Sequence, residues 1–321
     1  MPSLLLVKTS SLGDVIHALP VLSDLARARP DWKVHWVVEE AFACLPGLHP
    51  FTHKIVPVAL RRWRRAPWRA EHRREWAALR ARLDALQPDR VLDLQGLLKS
   101  ALLCRLAGGE HHGYDWQSAR EPLASLFYDV RHRVPREQHA VVRNRCLAAL
   151  AMDCDAGAPC DYGLHDSCVA ARAAEPGAAP LAVLLHGTSR DDKLWPPTHW
   201  VRLGQTLAQR GLQCLLPAGN AGEAQRAAIL AEHIPGARCL PPGPLAALLP
   251  VLAGARLAVG VDTGLTHLAT AFGLPTVAVF TATDPAATGV FGSAAAVNLG
   301  GIGRCPMPAE VLGELERLGA C

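Results

Sequence analysis

Short apolar runs, each closed by a small polar loop and followed by a stretch with helical periodicity, recur along this chain in two series. Leu4–Val7, Lys33–Val38, Lys54–Ala59 and Arg90–Leu94 form the first, and Leu181–His186, Gln213–Pro217, Leu257–Val261 and Thr276–Phe280 the second. Runs this short and this apolar suit strands buried on both faces, and the helical stretches between them provide the crossovers that parallel strands need. The pattern predicts an α/β fold of two Rossmann-like, doubly wound domains facing a central cleft. Residues 1–155 are assigned to the first domain and 181–321 to the second, each of ordinary size. Asp153–Pro180 is rich in Ala, Gly, Pro and Asp, which places a linker at 156–180. The last helix, Pro308–Leu318, is a candidate to pack back on the first domain.

Composition excludes several classes. Half the residues are hydrophobic and 19% charged, a globular balance, and a net charge of +4 leaves anion attraction to local patches. No apolar run is long enough to span a bilayer, and Leu4–Val7 is too short for a signal-peptide core. Ten Cys occur without a Cys-x-x-Cys pair, so buried thiols in a reducing cytoplasm are expected. No metal site is expected: His111 and His112 are adjacent, and the acidic pair Asp191-Asp192 has Lys193 beside it. Neither Gly-x-Gly-x-x-Gly nor a Walker motif is present, which lowers dinucleotide and P-loop readings.

Chemistry is expected in the loops after the strands. The opening Leu4–Pro20 reads strand, tight loop with Ser10 and Gly13, then helix, with Asp14 at the helix start as either a cap or a functional carboxylate. In the second domain Val259–Pro275 runs from a strand into Asp262-Thr263-Gly264, with His267 in the following first turn. Backbone N–H groups at such a helix start suit a diphosphate, although a simple cap with a core histidine is an even alternative. The loop 186–196 adds Thr188, Ser189, Arg190 and Lys193, and the loop 218–223 puts Glu223 at a helix start for ribose hydroxyls or the helix dipole. Three polar loops at one sheet edge read as a nucleotide-diphosphate site.

The first domain is cationic. Arg61–Arg82 holds nine Arg and three Trp against two Glu. With Lys99, Arg120, His139 and Arg143 it suits carboxylates, phosphates or an anionic lipid surface, where Trp63 and Trp68 would sit at the interface. A solvated basic helix face is the plainer reading, and nucleic acid is ranked below lipid or sugar.

With these residues in view, the chain resembles the type I lipopolysaccharide heptosyltransferases of glycosyltransferase family nine, which have the GT-B architecture. The resemblance covers nearly the whole chain. It rests on residues 7–17, 36–40, 61–65, 93–101, 115–125, 190–196 and 261–269, whose Val-Asp-Thr-Gly-Leu-Thr-His-Leu-Ala is shared across the wider family. At 280–285 this chain has Phe-Thr-Ala-Thr-Asp-Pro where the family usually has Gly-Pro before Thr-Asp-Pro, and no donor contact is assigned there. The resemblance implies inverting, metal-independent transfer of L-glycero-D-manno-heptose from ADP-heptose to the first Kdo of Kdo-lipid A. Asp14 matches the general base, and Thr188, Ser189, Lys193, Glu223, Asp262, Thr263, Gly264 and His267 match the donor site. Ser10, Arg61, Arg62, Arg64, Lys99, Arg120 and His139 are the acceptor candidates. No cofactor, no metal and no nucleic-acid partner is implied; the location is cytoplasmic, in peripheral contact with the inner membrane. Competing readings are a type II or other ADP-sugar transferase, and a non-catalytic nucleotide-sugar or lipid-binding protein.

Overall fold

The computed structural model describes residues 1–164 and 179–321, and most of the expected linker therefore lies outside the described residues. The chain divides into two compact units, Met1–Gly163 and Leu164–Cys321. Residues 156–163, expected in the linker, belong to the first unit. The Arg145 guanidinium donates to the carbonyl of Ala158 at 2.6 Å, and Tyr162 is buried.

In the first unit, β1 (Ser3–Val7), β2 (Lys33–Glu39), β3 (Thr52–Val58), β4 (Arg90–Asp93), β5 (Glu110–Tyr114) and β6 (Val130–His132) form one sheet in the order β3-β2-β1-β4-β5-β6. Every pairing is parallel, with Val7 in register with Val37 on one side and Asp93 on the other. Leu4, Leu5, Leu6 and Val7 are all fully buried, as a central parallel strand covered on both faces requires.

The second unit repeats the plan. β7 (Leu181–Leu185), β8 (Gln213–Pro217), β9 (Arg238–Leu240), β10 (Leu257–Val261), β11 (Thr276–Phe280) and β12 (Ala296–Gly300) lie in the order β12-β11-β10-β7-β8-β9, again all parallel. Counted within each unit, both sheets have the doubly wound order 3-2-1-4-5-6. The winding reverses between β1 and β4, and between β7 and β10. Ligands of such sheets bind beyond the carboxyl ends of the strands at that reversal.

Four strands were not expected from the sequence. β5 is Glu-His-His-Gly-Tyr, and β6, β9 and β12 are short outer strands without a strong apolar run. The helix expected after the opening loop is two helices, Leu12–Ile16 and Leu19–Ala28, the second with Pro20 in its first turn, where a missing N–H costs nothing. The last helix, Pro308–Arg317, places Val311 and Leu315 in the second unit's core with Leu203 and Leu207.

Candidate active site

The loop after β1 is tied down from both sides. The Gln95 side-chain carbonyl accepts the Thr9 N–H and hydroxyl at 2.8 Å each, its amide donates to the Ser10 carbonyl at 2.6 Å, and the Trp36 indole donates to the Lys8 carbonyl. Gln95 itself sits in the turn after β4, held by Asp93, whose Oδ1 accepts the Gln95 and Gly96 N–H groups. The reversal between β1 and β4 is thus a rigid floor.

On that floor Asp14 enters the short helix Leu12–Ile16. Its Oδ2 accepts both the backbone N–H (2.8 Å) and the hydroxyl (2.9 Å) of Ser11, while Oδ1 has no hydrogen bond among the described residues. Burial pushes the Asp14 carboxyl up. The Lys8 charge, the two Ser11 hydrogen bonds and Arg120 outweigh it and hold the group below the usual carboxylate range. Asp14 is therefore both a helix cap and an ionised, half-buried carboxylate with one oxygen open.

Lys8 is buried beneath it, its ammonium donating to the Leu94 carbonyl at 2.7 Å and the Asn144 side chain at 3.4 Å. Burial lowers its pKa, with Asp14 and Asp93 opposing. Sequence reasoning gave Lys8 no role of its own, although it lies within the 7–17 segment, because it directly closes an apolar strand.

A cavity of about 760 Å³ in the first unit brings together Ser10, Arg61, Arg64 and Lys99 with Trp63 and Trp76. The Lys99 ammonium reaches the Ser10 hydroxyl at 3.4 Å. Glu39, buried at the end of β2, lines the same cavity and accepts the Arg61 N–H at 3.1 Å, anchoring the helix Leu60–Arg65. Arg62 is not among the lining residues and is bound instead to Glu40 at 3.3 Å and Glu75 at 2.9 Å. Trp63, expected at a membrane surface, is partly buried on the core, donates to Glu75 and meets Trp76 edge-on at 5.7 Å. Arg120 is exposed and acts on Asp14 and Lys8 through its charge. His139 caps the helix Ala140–Met152, its Nδ1 accepting the Val141 N–H at 3.2 Å, and its ring lies 5.5 Å from that of His17.

In the second unit Asp262, just past β10, gathers the site. Its Oδ2 accepts the Lys193 ammonium and the Thr283 hydroxyl at 2.7 Å each, and its carbonyl accepts the Thr188 hydroxyl at 3.1 Å. Thr263 is the N-cap of Gly264–Ala271 but makes no side-chain cap bond; its carbonyl accepts the Thr266 N–H at 3.1 Å, and the N–H groups ahead of Thr266 receive no cap from its side chain. His267 is buried in the same helix, and Ser189 is exposed. Glu223 accepts the Gly219 N–H at 2.7 Å and the Asn220 amide at 2.9 Å. A Cβ on Gly187 would lie 2.5 Å from the Glu223 carboxyl carbon, so the glycine lets that carboxylate approach the loop carrying Thr188. Thr283, in the loop where no contact was assigned, is a second residue that sequence reasoning missed. Among the described residues, no cluster of three or more His, Cys, Asp or Glu is placed to hold a metal ion.

The family model of glycosyltransferase family 9 (heptosyltransferase) matches residues 76–309. The chain belongs to glycosyltransferase family 9. This family 9 enzyme is 48% identical over 290 residues to lipopolysaccharide heptosyltransferase 1 of Pseudomonas aeruginosa, a span of 90% of this chain and 81% of that one. Its structure matches E. coli heptosyltransferase WaaC with ADP at a TM-score of 0.91 and 41% identity, covering 98% of this chain and 99% of the other. The match to WaaC with ADP-2-deoxy-2-fluoro heptose has a TM-score of 0.88 and 42% identity over the same shares. The family 9 glycosyltransferase thus has the α/β GT-B fold expected from its sequence.

Proposed function

We propose that this enzyme transfers L-glycero-D-manno-heptose from ADP-L-glycero-D-manno-heptose to the first Kdo of Kdo-lipid A, in lipopolysaccharide inner-core biosynthesis. The transfer inverts the anomeric carbon, needs no metal, and takes place on the cytoplasmic side of the inner membrane, with which the enzyme associates peripherally. The observation that carries this reading is Asp14: an ionised carboxylate with one oxygen unbonded, in the loop whose Ser10 lines a cationic cavity.

An inverting displacement requires a base for the acceptor hydroxyl as its oxygen attacks opposite the leaving group. Asp14 Oδ1 takes that proton, while Ser11 fixes the carboxylate through Oδ2. Arg61, Arg64 and Lys99 offer cations to the carboxylate and phosphates of the acceptor, with Ser10 as a hydroxyl partner and with Arg120 and His139 as further acceptor residues. On the donor side the departing ADP gains negative charge. Lys193, the helix start at Thr263–Gly264, and His267 meet it, with Thr188 and Ser189 on the diphosphate and Glu223 on the ribose. Asp262 holds Lys193 and Thr283 in position.

The test is ADP release in EDTA from ADP-heptose and deacylated Kdo-lipid A, wild type against Asp14→Asn. Release that needs both substrates and Asp14 is the expected result. Full activity of Asp14→Asn removes the base assignment; loss of wild-type activity in EDTA, restored by a divalent ion, removes metal independence. Transfer only to an acceptor that already bears a heptose makes the enzyme type II.

A further inference from the structure

The helix Ala70–Asp84 is polar almost all round, burying only His72, Leu79 and Leu83. Helices of that kind are ordinarily laced by acid–base pairs at helical spacing. This one is not. Arg69, Arg73, Trp76 and Arg80 follow at spacings of four, three and four and so lie along one stripe. Among the described residues none of these arginines is in an ion pair, in contrast to Arg62, which has Glu40 and Glu75. Arg69 and Arg73 have no acidic residue three or four positions away. Beside the start of the stripe, Trp68 is 73% exposed, and Trp76 within it is 40% exposed.

The stripe is continuous with the cavity. Arg73 and Trp76 line it, whereas Trp68, Arg69 and Arg80 lie outside the lining. The cavity crosses the carboxyl ends of β4, β1, β2 and β3, from Lys99 and Ser10 through Glu39 to the helix Leu60–Arg65, and reaches the stripe at Arg73 and Trp76. We propose that the stripe with Trp68 is a docking face for an anionic lipid bilayer, from which an anionic lipid acceptor enters the cavity. The inference rests on the acceptor assigned above and adds the surface that meets the membrane. Unpaired arginines match an anionic surface, and an exposed tryptophan among them matches its interfacial layer, which a nucleic-acid duplex does not offer.

The experiment is co-sedimentation of the full chain with phosphatidylglycerol or phosphatidylcholine vesicles, for the wild type and the triple variant Trp68→Ala, Arg69→Gln, Arg80→Gln. The wild type should bind the anionic vesicles and release with salt. The variant should bind them on the order of a hundredfold more weakly, since each arginine and the indole contribute separately. Its ADP release with the deacylated acceptor should be unchanged, because none of the three lines the cavity. Equal binding by the variant, no preference for anionic vesicles, or tighter binding of duplex DNA than of vesicles at the same salt overturns the docking face. Absence of transfer to the deacylated acceptor by the wild type counts against the proposed reaction and leaves the vesicle result standing.

Discussion

Two carboxylates stand where the two sheets reverse their winding, and they are used in opposite ways. Asp14, after β1, spends one oxygen on Ser11 and leaves the other open. Asp262, after β10, is bound to the Lys193 ammonium and the Thr283 hydroxyl through one oxygen, with its carbonyl on Thr188. The sheets beneath them have the same strand order and the same parallel pairing. What differs is the loop. In the first unit, the floor of Gln95 and Asp93 fixes the backbone so that the carboxylate need hold nothing else. In the second, the carboxylate is itself the organiser, and it gathers Lys193, Thr283 and Thr188, the first and last of which are proposed to meet the donor. One fold supports both tasks because the reversal supplies a rigid edge and the loop residues supply the chemistry.

The comparison breaks most sharply at Asp14. Asp14→Asn keeps the Ser11 acceptor but removes the proton acceptor, so kcat should fall by about 10²–10⁴ while ADP affinity is retained. Single-turnover rates beside ADP titration would read this. An equal loss of ADP binding would mean that the two carboxylates are not functionally separate. Next comes Lys193→Met, which removes the cation and leaves Asp262 unpaired at a site that is only 10% exposed. Loss of one stabilising group for developing negative charge costs roughly 10²–10³ in kcat. Unlike Asp14→Asn, this variant should also weaken ADP binding, which calorimetry can measure.

The contrast between these loops was largely legible in sequence, because each follows an apolar strand and each carries its chemistry in a few consecutive residues. The residues that support them were not. Lys8 reads as the end of a hydrophobic run, and only the fold reveals that its ammonium crosses to Leu94 and Asn144, residues far along the chain. Thr283 finds Asp262 across twenty residues through adjacent strands, a pairing that no local spacing encodes. β5 escaped because its buried positions are filled by His111 and His112, which satisfy their rings on Cys104, Asp129, Glu110 and His132 rather than by apolar packing. The Arg61–Arg65 cluster was legible as cationic but not as divided, since only Glu39, Glu40 and Glu75 determine which arginine lines the cavity.

That division gives a prediction of intermediate size. Arg61→Ala with Arg64→Ala removes the two charge-assisted contacts proposed for the acceptor and should raise its KM at least tenfold, leaving the KM for ADP-heptose unchanged. Arg62→Ala should show the smaller acceptor effect of the two, because its partners are the protein's own carboxylates. An Arg62 effect as large as that of the pair would show that the arginine leaves Glu40 and Glu75 when the acceptor binds.

The smallest expected effect is the most specific to Asp14, and it concerns pH. A base must be ionised, so activity is lost as pH falls through its native pKa, and for Asp14 that lies below the ordinary carboxylate range. No acid limb from this group is therefore expected between about pH 5 and 8. Lys8→Met keeps the volume of the stem but removes the strongest influence opposing burial, so the Asp14 pKa rises and an acid limb in kcat/KM should move up toward that window. Folding has its own acid dependence. His35, His49 and His186 are held neutral by burial, with pKa values lowered to about 4, so the stability tied to their neutral forms is complete above the unfolded histidine value and declines as pH falls toward 4. The Asp14 contribution, from a depressed carboxyl, is likewise present above its unfolded value and lost on further acidification. The two effects separate if ADP binding is followed at each pH. Lost turnover with retained ADP binding reports Asp14, whereas loss of both together reports unfolding. A Lys8→Met profile superimposable on that of the wild type would mean that Ser11 and Arg120 alone keep the carboxylate ionised.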